Sequence, residues 1–138
     1  MISIEYRKSL ISYKYELLKT YEVQLGHEFP DVSGEVETKY LYLNEKKFLA
    51  VKAGYNWDGP SGPAIDTKNF MRGSLVHDAL YQLMRRKDIE KATFRIHVDR
   101  LLYTMCREDG MWWPRATWVY YGVRIFGNTN AMKHTKTD

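Results

Sequence analysis

The chain has one cysteine, Cys106, so no internal disulfide can form. That excludes the small disulfide-stapled scaffolds and fits a reducing compartment. Proline is scarce, at four residues, and Pro60 and Pro63 fall in one short stretch. Long apolar runs are missing too. The longest charge-free run is eight residues, as in 116–123. A membrane-spanning helix needs about 20 apolar residues, so none is expected. Residues 1–10 contain Glu5, Arg7 and Lys8 and no apolar core of signal-peptide length, so no secretory leader is read there. The sequence also lacks internal repeats and low-complexity stretches.

What is present is the composition of a globular domain. Of 138 residues, 44% are apolar, 14% aromatic and 28% charged, which excludes disorder as the main state. One domain of this length buries roughly 68–70% of its unfolded surface. The net charge of +4 favours an anionic partner such as a phosphate, a lipid headgroup or a nucleic acid. The basic residues are scattered and carry no nucleic-acid motif, so no specific nucleic-acid binding is predicted.

Residues 1–54 read as strand-rich. Residues 11–25 are rich in Tyr, Leu, Val and Thr with partial alternation, 26–34 read as a loop, and 36–43 with 48–52 suggest a hairpin around Asn44-Glu45-Lys46-Lys47. Residues 55–68 carry Gly59, Pro60, Gly62 and Pro63 and are expected to be a shaped loop. Residues 69–127 read as helical. The first helix covers 70–85. The second covers 89–108, with Asp88 as N-cap and Gly110 as its end. The third starts at Pro114 and stops at Gly127, and residues 128–138 form a polar tail. The expected fold is a single α+β domain: an N-terminal antiparallel β-sheet, then an antiparallel helical hairpin and a third helix.

Two of these helices place titratable groups where periodicity expects core. Phe70, Ser74, His77, Tyr81 and Met84 recur at a 4-3-4-3 spacing and share one face of the first. Ala92, Ile96, Asp99, Tyr103 and Cys106 share one face of the second. The short connection at 86–87 makes the helices antiparallel neighbours, so His77 can stand opposite Asp99. A buried carboxylate is costly without a partner, and a His–Asp hydrogen bond satisfies both groups. It also sets the His tautomer and raises its basicity, as a general base requires. The same pair reads equally as a core histidine satisfied by an aspartate. Asp78 points about 100° away from His77 on the helix. With Asp58 and the backbone carbonyls of the glycine-rich loop, it offers oxygen-only ligands, which suit calcium better than zinc. The loop taken alone also reads as a rigid strand-to-helix connection.

Together these segments resemble a phage and prophage family designated a domain of unknown function, number 1353. The resemblance rests on Ala53-Gly54, on Trp57-Asp58-Gly59-Pro60-Ser61-Gly62-Pro63, on His77-Asp78-Ala79-Leu80-Tyr81, on Val98-Asp99 and on Val123-Arg124-Ile125-Phe126-Gly127. It departs from the family pattern at Trp57, at Val98 and in the extra Gly62. It implies a setting in the host cytoplasm or the virion. The order of a glycine-rich loop, His-Asp-x-x-Tyr and a later Asp is also similar, more distantly, to phospholipase A2. That resemblance implies a calcium-dependent lipid or ester hydrolase acting on phospholipid or another anionic ester. His77 would be the base and Asp99 its orienting acid, with Tyr81 completing the catalytic set. Asp78 would bind calcium together with Asp58 and the carbonyls of Gly59 and Gly62. Cysteines flank the His-Asp pair in the secreted members, whereas Val76 precedes it here.

The alternative is a non-catalytic phage protein that keeps the His-Asp core for folding and binds a host or virion protein through its strand-rich third. His97 is expected at the surface and Cys106 as a buried, inert thiol. His27 and His134 have no partner at ligand spacing. Trp57, Trp112 and Trp113 read as core residues, or as aromatic residues at a membrane interface.

Overall fold

The computed structural model describes residues 4–8, 15–57 and 67–130. The first part forms two antiparallel sheets, one ordered β1-β2-β7 and the other β3-β6-β5-β4. The strands are β1 (Tyr6–Lys8), β2 (Tyr15–Leu17), β3 (Tyr21–Gln24), β4 (Val36–Glu37), β5 (Leu41–Leu43), β6 (Phe48–Val51) and β7 (Asn56–Trp57). Three helices follow: α1 (Lys68–Arg85), α2 (Lys91–Glu108) and α3 (Trp113–Asn130). The architecture is α+β, as expected, with α1 and α2 packed as a hairpin.

The expected hairpin forms, with Leu43 opposite Leu49 and Leu41 opposite Val51. Its turn is set by Asn44, whose Oδ1 accepts the backbone N–H groups of Lys46 and Phe48 at 3.0 and 3.1 Å. The described part of segment 11–25 is not one strand. The chain bends at residues 18–20 and passes from the first sheet to the second. Thr20 holds that crossing by accepting the N–H of Ala53. Residues 56–57 also differ from the expected loop, because they pair with β2. Trp57 is buried against the rings of Tyr6 and Tyr15, which also touch each other, and its indole N–H donates to Ser74 Oγ at 3.1 Å. That places Trp57 in the core and removes it from any membrane interface.

Helix α1 is buried on almost every side, because the sheets cover one face and α2 the other. Close approach of α2 depends on Gly73. A Cβ there would lie 3.0 Å from Leu102 Cδ1 and 3.3 Å from Cys106 Sγ. Helix α2 starts at Lys91, not residue 89, with Glu90 at its N-cap. Asp88 does not cap it; the carboxylate accepts from Arg86 Nε at 2.7 Å. Ala92 is exposed, and the buried stripe is Phe94, Val98, Asp99, Leu102, Met105 and Cys106. Helix α3 does not stop at Gly127 but continues to Asn130.

Candidate active site

The site is built at the middle of the helical hairpin. His77 and Tyr81 lie one turn apart on α1, and α2 brings Asp99 to meet both. His77 Nε2 lies 2.8 Å from Asp99 Oδ1, and the Tyr81 hydroxyl donates to the same oxygen at 2.6 Å. The other carboxylate oxygen, Oδ2, accepts from Arg124 Nη1 on α3 at 2.8 Å, and Arg95 Nε stands 4.0 Å away. Asp99 is fully buried. Each of its oxygens therefore faces a donor, as a charge in this position requires.

The electrostatics follow from these contacts. Burial alone would favour the neutral acid of Asp99, but hydrogen bonds from His77, Tyr81 and Arg124 outweigh it and lower its pKa. An ionised carboxylate only accepts, so His77 Nε2 is the donor. A neutral imidazole then carries its lone pair on Nδ1. Burial opposes the imidazolium, yet Asp78 and Asp99 outweigh it and raise the His77 pKa above its ordinary 6.5. Burial and then Asp99 push the Tyr81 hydroxyl well above its usual range, so it remains a donor.

The two sides of the imidazole differ. Nε2 faces the sealed Asp99. Nδ1 faces the Asp78 carboxylate at 4.0 Å, and that side chain is about 32% exposed. His77 itself retains 7% of its surface. Its ring lies over the Tyr81 ring, with centroids 4.1 Å apart. The group that can take a proton therefore lies on the wetter side, next to a carboxylate. Asp58, Gly59 and Gly62 lie outside the described residues. Among the described residues, no three His, Cys, Asp or Glu side chains gather as a metal site. Asp78 is the described carboxylate whose chemistry and position suit a hard cation beside His77.

Sequence reasoning brought His77, Tyr81 and Asp99 together, but it assigned no residue of the third helix to the site. Arg124 completes the Asp99 shell. Arg95 grips α3 from α2, its Nη2 donating to the backbone carbonyls of Val123 and Arg124 at 3.2 and 2.6 Å. Gly127 is pressed against Tyr81: a Cβ there would lie 2.5 Å from the Tyr81 hydroxyl oxygen. Arg124 and Gly127 both belong to the Val123-Arg124-Ile125-Phe126-Gly127 stretch, so the available signal was a motif without an assigned role. His97 is partly buried, and Cys106 is buried as expected. Trp112 and Trp113 are exposed, so neither is a core residue. Set against known protein families, curated proteins and solved structures, the chain matches none.

Proposed function

We propose that the chain is a calcium-dependent lipid or ester hydrolase of the phospholipase A2 type, acting on a phospholipid or a related anionic ester. The observation that carries this reading is the two-sided imidazole of His77. A buried, ionised Asp99 holds Nε2, while Nδ1 faces Asp78. Asp78, with Asp58 and the carbonyls of Gly59 and Gly62, would hold the cation. Bound calcium would supply Lewis acidity toward the ester carbonyl oxygen.

His77 Nδ1 takes a proton from a water as that water's oxygen bonds to the carbonyl carbon. Asp99 stabilises the imidazolium that results without taking the proton. When the tetrahedral species collapses, the bond to the leaving oxygen breaks and Nδ1 returns the proton to it. Tyr81 and Arg124 are positioning residues, because they act through Asp99. The setting that accompanies this reading is a phage or prophage, in the host cytoplasm or the virion.

The near-complete burial of His77 favours a second reading, a non-catalytic phage module whose His-Asp core serves folding. Fatty-acid release from mixed anionic and zwitterionic vesicles separates the two. It is measured with calcium and with a chelator, for wild type and for a folded His77→Gln variant. Release that needs both calcium and His77 supports the hydrolase. A folded protein that releases nothing from any lipid supports the binding module.

A further inference from the structure

Helix α3 has two faces of opposite use. Ala116, Val119, Val123 and Gly127 recur at a 3-4-4 spacing on the inner side, and the first three pack with Phe70, Leu102 and Met111. Trp118, Tyr121 and Ile125 recur at a 3-4 spacing about half a turn away. Trp118 is 62% exposed and Ile125 is 69% exposed. Tyr121 is exposed on the same face, and Phe126, Trp112 and Trp113 are exposed elsewhere on the helix or just before it. An exposed apolar stripe of this kind marks an interaction site.

Charge identifies what would cover it. From residue 110 to residue 137 there is no Asp or Glu, while Arg115, Arg124, Lys133 and Lys136 fall within it. Arg124 is turned inward to Asp99, so the stretch brings Arg115, Lys133 and Lys136 to the docking face's segment with no acid among them. A second copy would bring one basic stretch against another with no acid to pair. An exposed Trp/Tyr/Ile stripe within a cationic segment instead matches a surface with an apolar interior and anionic headgroups.

We propose that the outer face of α3 docks on an anionic lipid surface, lying in the plane of the interface with Trp118, Tyr121 and Ile125 inserted. No helix among the described residues is long and apolar enough to cross a membrane, so the contact is peripheral. This proposal stands independently of the hydrolase reading, since it needs neither His77 nor calcium.

The test uses the full chain in chelator, which prevents any turnover. Co-sedimentation is measured with vesicles of phosphatidylcholine alone and of equal parts phosphatidylcholine and phosphatidylglycerol. Wild type sediments with the anionic vesicles, and less so as salt rises. A Trp118→Ser/Ile125→Ser variant, shown to be folded by its circular dichroism melt, partitions at least about tenfold more weakly. Brominated lipid quenches the indole fluorescence of the bound wild type. Three results overturn the proposal: wild type that does not sediment, equal sedimentation of both proteins, or a lipid-free dimer that the same substitutions dissociate. Hydrolysis of a water-soluble monomeric ester is assayed separately, so failure of either reading is recognised on its own.

Discussion

Asp99 is the residue on which the candidate site depends, and its surroundings set how the protein responds to pH. Its folded pKa is lowered from an ordinary 3.8, so its contribution to stability is present above that value and is lost as pH falls through the folded pKa. The His77 pKa is raised from an ordinary 6.5, so its contribution is full below 6.5 and is lost as pH rises through the folded value. The pair therefore stabilises most between these two ordinary values. The melting-temperature difference between wild type and His77→Gln is expected to be largest in that window and to shrink above it. Activity would run the other way, rising as His77 loses its proton, and His77→Gln would cost about 10²–10⁴-fold in kcat/KM. Arg124→Gln removes a charged donor from a buried carboxylate and is expected to cost about 1–3 kcal/mol in denaturant unfolding. It would also move the acid limb of the stability profile to higher pH, which a purely packing role for Arg124 would not do. Cys106 is a quieter case. Burial pushes its thiol up to about 12, so Ellman's reagent at pH 8 is expected to label it only after denaturation.

Among the elements, the helices carry the constraints that a pattern of residue types does not express. The seam of α1 was readable because Phe70, Ser74, His77, Tyr81 and Met84 follow the helical period and are all buried. The seam of α2 was readable only in part. Asp99 and Cys106 lie where the spacing put them, but the buried stripe is rotated toward Phe94, Val98 and Leu102, so Ala92 faces out and Ile96 and Tyr103 are only partly buried. Strand breaks were harder: Leu17-Leu18 and Lys19-Thr20 interrupt the alternation at the bend, but no glycine or proline marks it. Gly127 was misread because a glycine at the end of a helical pattern usually stops it. Here it sits inside α3 for the sake of Tyr81. In a solvent-facing helix Gly→Ala would gain about 1 kcal/mol. Gly127→Ala is expected instead to lose about 1–3 kcal/mol by overpacking. Combining it with Tyr81→Phe, which removes the hydroxyl that the new methyl would strike, should recover part of that loss in a double-mutant cycle. Failure of any recovery would show that Tyr81 does not set the glycine requirement.

In the molecule as a whole, the sheets and the helical hairpin are joined by polar contacts as well as by core. Arg72 on α1 donates to Asp109 and Glu108 at the end of α2 and to the Tyr21 hydroxyl on β3. The Tyr55 hydroxyl donates to Gln82, again from sheet side to α1. These links were not readable in the sequence, because they join residues 27 to 51 positions apart with no shared period. The order of sheet, hairpin and third helix was readable, because local patterning sets each element and short connections set neighbours. Asp99 has a further consequence at this scale. One negative charge is neutralised by side chains from all three helices, so peeling any one away strands that charge in an apolar interior. Partial opening is thereby penalised, because it breaks contacts to Asp99 without releasing the carboxylate fully to water. Backbone amides at the centres of α1, α2 and α3 should exchange with deuterium at a common slow rate, as a single cooperative unit. A protease that trims the carboxyl-terminal end should stall before Arg124.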